Sequence, residues 1–206
     1  MPSTSTWLYL VRHGAVQGGE QRFYGHTDVP LSSEGEAQLQ ALGVALAKEG
    51  IEAVYASDLA RSRRSAELVA APLGLTPVII PAFREMAMGR WELLTHKEIT
   101  AREPERFKEW MANLGTFPFP DGESLLDLRA RVMPALASLL ERHAGGRFAL
   151  VAHGGPNRVI LSGALGMPLD RIISLGQNYG ALNLLEYRDG STVVHRLNHI
   201  QEWPRA

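Results

Sequence analysis

The chain has 206 residues, a length that suits one domain with a full buried core. Apolar residues make up 45% and charged residues 21%, and the formal net charge is −1. That is the balance of a globular protein in solution, with no global field to recruit nucleic acid or an anionic membrane. Cysteine is absent, which excludes disulfides, thiolate zinc sites and cysteine nucleophiles. The seven histidines show no paired ligand spacing, so no metal site and no other cofactor is expected. The segment Met1–Thr6 carries neither a basic region nor a long apolar stretch, and no window reaches membrane-span length. A cytoplasmic protein is the expectation. A homodimer is compatible with the sequence, which carries no positive sign of one.

Taken in chain order, short apolar runs alternate with amphipathic stretches. Trp7–Val11 reads as a buried strand that opens into Arg12-His13-Gly14. Ser33 and Glu36 form a capping-box pattern ahead of Leu39, Leu42 and Leu46, with Gly50 as the stop. A second strand, Ala53–Ser57, leads into Asp58, an N-cap for a helix that carries Arg61, Ala66 and Val69 and ends by Pro72. Pro77–Ile80 is a third strand. The stretch from Arg90 to Asp121 is irregular and rich in aromatics, and reads as a helical cap insertion. Leu125, Leu128, Val132, Leu136 and Leu139 keep helical spacing, and Pro134 should kink that helix. Phe148–Ala152 then runs into His153-Gly154-Gly155-Pro156, with Pro156 in a first helical turn. Ala181–Tyr187 and Thr192–Leu197 flank the turn signal Arg188-Asp189-Gly190, so one sheet edge should be antiparallel. The expected fold is a single α/β domain over residues 1–206, with helices on both faces of a mainly parallel sheet and the cap at about 90–121.

Two strand ends carry His-Gly, at His13-Gly14 and His153-Gly154. Ligands of open α/β sheets bind outside the carboxyl ends of strands. A neutral histidine there can attack phosphorus, and Arg12 and Arg61 can hold phosphate oxygens bidentately. Arginines beside His13 disfavour a second positive charge on it. His153 can stabilise the transferring group, and Gly154 can add a backbone amide. Gly14 lets backbone approach a ligand closely. Glu85 is the candidate general acid, in a setting of Phe83, Met86 and Met88 that suits a proton-bearing carboxyl. For each histidine alone, the bland reading is a hydrogen-bonded structural residue. For Arg61, Arg63 and Arg64 it is a solvated helix face, and for Glu85, Glu92 and Glu98 a surface carboxylate. Asn157 and Arg158 read as helix and packing residues.

In order and spacing, Arg12-His13-Gly14, Ser57-Asp58-Leu59-Ala60-Arg61, Phe83-Arg84-Glu85-Met86 and His153-Gly154 resemble the histidine phosphatase superfamily, from Leu8 to about His199. The resemblance implies phosphoryl transfer through a phosphohistidine on His13. Arg12, Arg61 and His153 would form the phosphate cradle and Glu85 the acid. It leaves Arg63 and Arg64 as surface charges.

The chain departs from the family pattern in two places. Ala15-Val16-Gln17-Gly18-Gly19 lacks the usual acidic residue and a following Asn, for which Gln17 is the candidate replacement. Leu93 stands where many relatives have glycine. The segments around Tyr24 and His26, and around Gln177 and Tyr179, resemble the α-ribazole phosphatase branch. Their tyrosines offer aromatic faces to a heterocycle, or equally to core packing. Glu123-Ser124 borders the pocket or caps a helix. The leading expectation is hydrolysis of a small-molecule phosphate ester. The rivals are a phosphoglycerate mutase and a non-catalytic phospho-ligand module.

Overall fold

A computed structural model describes residues 5–18 and 22–201. Gly19 of the departing loop and most of the Met1–Thr6 segment lie outside the described residues. Six strands form one sheet in the order β3-β2-β4-β1-β5-β6. They are β1 (Thr6–Arg12), β2 (Ala53–Ala56), β3 (Val78–Ile79), β4 (Arg147–Ala152), β5 (Leu182–Arg188) and β6 (Ser191–His199). β3, β2, β4 and β1 run parallel. β5 and β6 add an antiparallel edge, joined at the expected turn.

Side chains alternate across the sheet, and the two faces bury two separate cores. Leu8 and Leu10 of β1 face one core, with Leu128, Val132 and Leu136 of α5 (Leu125–Arg142) and Val159 and Ile160 of α6 (Gly154–Leu165). Tyr9 and Val11 face the other, with Leu39 and Leu42 of α1 (Ser33–Leu46) and Ala66 and Val69 of α2 (Ala60–Ala70). The result is the expected three-layer α/β arrangement. No helix among the described residues is long and apolar enough to cross a membrane.

Several local expectations need correction. Ser32, not Ser33, caps α1, accepting from the Gly35 amide at 3.1 Å, while Glu36 pairs with Arg64. Asp58 does not cap α2, because its carboxylate is held by Arg84. The first amide of α2, on Ala60, donates instead to Asp28, 32 residues upstream, at 2.7 Å. α5 runs unbroken through Pro134. Ser124 and Asp127 form its capping box.

The 90–121 stretch forms two short helices, α3 (His96–Arg102) and α4 (Pro104–Ala112). They gather round fully buried Trp91, which rings of Phe107, Trp110, Phe117 and Phe119 surround. Phe23 inserts into this cluster from the loop after β1.

Candidate active site

Strand register assembles the site. β1 and β4 are parallel neighbours, and Arg12 pairs with Ala152, so the next residue of each strand is a histidine at the same sheet edge. The rings of His13 and His153 lie 5.0 Å apart, centre to centre, edge to face. β2 pairs with β4 one step earlier, Ala56 against Val151, which brings Ser57 alongside. Its hydroxyl lies 2.7 Å from His153 Nε2.

The tautomer of His13 follows from its partner. Nδ1 lies 2.8 Å from the Gly14 carbonyl, which can only accept, so Nδ1 carries the proton and Nε2 keeps a lone pair. Burial, then the charges of Arg12 and Arg61, hold the His13 pKa well below its usual 6.5. The histidine is therefore neutral. His153 is fully buried, and burial followed by the charge of Arg61 holds its pKa low as well. Its Nδ1 is a buried atom with no hydrogen-bond partner among the described residues. Nε2 is engaged by the Ser57 hydroxyl, so Nδ1 is the ring nitrogen that a further group could meet.

Arg61 is wholly buried, and its two terminal nitrogens donate to the carbonyls of Thr27, Gly25 and Tyr24. The expected bidentate grip through that end is therefore taken by the 24–27 loop. The buried Nε has no partner among the described residues. Arg12 donates to the Gln177 carbonyl, and its guanidinium carbon lies 3.9 Å above the centre of the Tyr179 ring.

Glu85 is buried beside the first turn of α6. Its carboxylate accepts from the Met86 amide at 2.8 Å and from the Gly155 amide at 3.1 Å to each oxygen. A Cβ on Gly155 would come 2.3 Å from Glu85 Oε1, so any larger residue there would displace the carboxylate. Arg131 braces the backbone of this loop, donating to the carbonyls of Ala82, Arg84 and Glu85 and pairing with Glu123. Glu123 in turn accepts from the Ala87 amide at 2.9 Å.

A cavity of about 170 Å³ opens onto these groups. Arg12, His13, Glu85, Gly154 and Tyr179 line it, with Tyr24 at its wall. Arg61 and His153 lie outside its lining, and so do three further expected substrate contacts. Gln17 is exposed and donates to the Leu31 carbonyl at 3.3 Å. His26 Nε2 bonds the Glu85 carbonyl at 2.9 Å. The side chain of Gln177 is buried against Asn183 and Asn157, and only its carbonyl serves the site, through Arg12. The aromatic face of Tyr179 expected to meet a heterocycle is covered by Arg12. Gly14 approaches helix α1 and not a ligand: a Cβ there would meet the Gly35 carbonyl at 2.4 Å. Glu92 is no free surface carboxylate either, since it accepts from the amides of Gly25, His26 and Thr27.

Sequence reasoning gave no role to the Ser57 side chain or to Arg131, and offered Glu123 only as a pocket border or helix cap. Arg158 was read as a packing residue, yet it lines the cavity with Arg22, Phe23, Met88 and His96. Its spacing of four residues from Gly154 was the available signal, because it puts both on one helix face.

The family profile of histidine phosphatase superfamily branch 1 matches residues 8–200. The chain belongs to the histidine phosphatase superfamily. A Citrobacter koseri protein named "Probable phosphoglycerate mutase GpmB" is 39% identical over 164 residues, which cover 78% of this chain and 75% of that protein. The α-ribazole phosphatase from Shigella flexneri has a TM-score of 0.85 at 26% identity, covering 94% of this chain and 96% of that one. The mycobacterial glucosyl-3-phosphoglycerate phosphatase has a TM-score of 0.85 at 27% identity, covering 94% and 99%. The superfamily fold is thus shared by proteins named for both phosphatase and mutase activity.

Proposed function

We propose that this member of the superfamily hydrolyses small phosphomonoesters by way of a phosphohistidine on His13, with no step that calls for a metal ion. One observation carries the reading. Neutral His13, its Nε2 lone pair unengaged by the Gly14 bond, stands near two buried nitrogens without partners among the described residues, His153 Nδ1 and Arg61 Nε. Buried donors left unsatisfied are costly, and phosphoryl oxygens would satisfy them.

In the first step, His13 Nε2 forms a bond to phosphorus as the bond to the leaving oxygen breaks. Arg12, Arg61 and His153 stabilise the equatorial oxygens, and Glu85 gives its proton to the leaving alkoxide. In the second, Glu85 takes a proton from water as the water oxygen attacks phosphorus, and His13 leaves as a neutral imidazole.

Likeness to the Shigella enzyme supports α-ribazole 5′-phosphate as one substrate to test. Likeness to the proteins named phosphoglycerate mutase supports a second reading, return of the phosphoryl group to the product. A panel of phosphate esters, assayed for free phosphate after exhaustive chelation, separates them. Hydrolysis predicts phosphate release from 3-phosphoglycerate without 2-phosphoglycerate. Rearrangement without phosphate release would favour the mutase, and activity that returns only with a divalent ion would overturn the mechanism.

A further inference from the structure

Glu85 sits on a stretch without regular secondary structure, residues 84–88, between the short helical turns Pro81–Phe83 and Gly89–Trp91. No helix or strand ladder fixes its backbone, so other groups must satisfy it. They come from α5. Arg131 stands two turns into that helix, between fully buried Leu128 and Val132. A guanidinium has five N–H donors, and all five of Arg131 are committed, each at 2.8 Å. Three go to the carbonyls of Ala82, Arg84 and Glu85, and two to the oxygens of Glu123. Glu123, just ahead of the Ser124 cap, grips the loop beyond Glu85. Its Oε2 accepts from the Ala87 amide at 2.9 Å, and its own amide donates to the Ala87 carbonyl at 2.9 Å. The loop is thus held on both sides of Glu85, while the carboxylate itself rests on the Met86 and Gly155 amides.

An ion pair this shielded, at 23% and 22% side-chain exposure, is by itself a weak source of stability, because desolvation offsets its Coulomb energy. Its geometry does something more specific: it ties one loop residue to a helix packed in the core. A proton donor has to be held within about 0.5 Å of its working place, and a misplacement of about 1 Å can cost about 10²-fold in rate. We propose that Arg131 and Glu123 are positioning residues for Glu85, setting where its carboxyl meets the leaving oxygen without touching the substrate. Neither side chain lines the cavity. The proposal rests on the reading of Glu85 as the general acid.

Positioning has a consequence that bracing the fold does not. An alkoxide needs a proton in order to leave, whereas a nitrophenolate leaves readily without one. Misplacing the acid should therefore slow esters according to their leaving group. Behind burial and the nearer cations, the charge of Arg131 also helps to hold the His153 pKa low. Arg131→Lys is the suitable variant, because it keeps the charge and loses the fork, with three N–H donors where five acceptors wait. Glu123→Gln loosens the same contact from its other end.

The test compares kcat/KM for an alkyl phosphate and for nitrophenyl phosphate, together with the inhibition constant of inorganic phosphate. Each variant should lose about 10–100-fold on the alkyl ester and less than about 3-fold on the nitrophenyl ester. The inhibition constant should move by less than about 3-fold, because Arg131 and Glu123 make no contact with the phosphate cradle. On the alkyl ester, neither variant should add more than about 3-fold to the loss caused by Glu85→Gln, since residues that act as a unit are not additive. Equal losses on the two esters, or full additivity with Glu85→Gln, would overturn the proposal. Failure of both variants to fold would assign the pair a structural role and overturn it as well. A Glu85→Gln variant that slows both esters alike sinks the general-acid reading. Leaving-group selectivity in Glu85→Gln but in neither Arg131→Lys nor Glu123→Gln sinks the positioning role alone.

Discussion

Ser57 and His153 come from different strands, yet the Ser57 hydroxyl lies 2.7 Å from His153 Nε2. The hydroxyl also lies 3.4 Å from the Leu59 amide, which donates to it. With one lone pair so used, the hydroxyl can give its proton to Nε2, which would leave the N–H of neutral His153 on Nδ1. On that tautomer, one serine sets which ring nitrogen of the second histidine carries the N–H.

Ser57→Ala removes that choice. It leaves Nε2 buried and unpaired, which should destabilise the fold by about 1–3 kcal/mol. Turnover should fall by about 10-fold, less than the roughly 10²–10³ seen on deleting an oxyanion donor itself. Nitrogen NMR should show His153 as the Nδ1–H form in the unaltered protein and as a mixture in the variant. An unchanged tautomer would refute this role.

Glu85→Gln should slow alkyl phosphates by about 10²–10⁴-fold and aryl phosphates with acidic leaving groups far less. Gly155→Ala should imitate it, because the added Cβ would meet Glu85 Oε1. Equal losses on both substrate series would mean that Glu85 is structural. Glu92 is no ready substitute, as it lies outside the lining of the cavity that Glu85 shares with His13.

The two histidines also predict how stability varies with pH. Both have folded-state pKa values held well below 6.5, chiefly by burial. Below 6.5 the unfolded chain binds protons that the folded chain refuses, so their contribution is fully present above pH 6.5 and is lost as pH falls towards the folded values. Each histidine adds a slope of up to about 1.4 kcal/mol per pH unit. His13→Asn should flatten the stability profile between about pH 6.5 and 5. An unchanged slope would show that His13 protonates freely in the folded protein.

Leu93 occupies a glycine's backbone conformation, with φ at 62°. A left-handed residue other than glycine costs roughly 1–2 kcal/mol, partly offset by the greater entropy that glycine loses on folding. Leu93 is 40% exposed, so trimming it also gives up part of its burial, which limits the gain. Leu93→Gly should raise stability by up to about 1 kcal/mol, or about 2–4 °C in Tm. A fall in Tm would contradict this.

What the sequence disclosed was local. The apolar runs before His13 and His153 marked both strand ends, and the family pattern supplied Arg61 and Glu85. What it concealed depended on pairing. Asp28 caps α2 in place of the adjacent Asp58, because Arg84 holds Asp58. Ser57 meets His153 only through the β2–β4 register. Gln177 and His26 look like ligand contacts in a linear reading, but their side chains bond other parts of the chain. Arg158 looks like packing until α6 is laid beside the cavity. Leu93 broke the family pattern in sequence, and the backbone kept the glycine conformation regardless.

The central claim is that His13 Nε2 carries the phosphoryl group. Brief exposure to a ³²P-labelled phosphate ester, quenched in denaturant at alkaline pH and mapped by peptide mass spectrometry, tests it directly. The account predicts an acid-labile phosphate on the peptide containing His13, discharged on further incubation with release of free phosphate, and no label in His13→Ala. Equal labelling of His13→Ala, or label on any other residue, would contradict it.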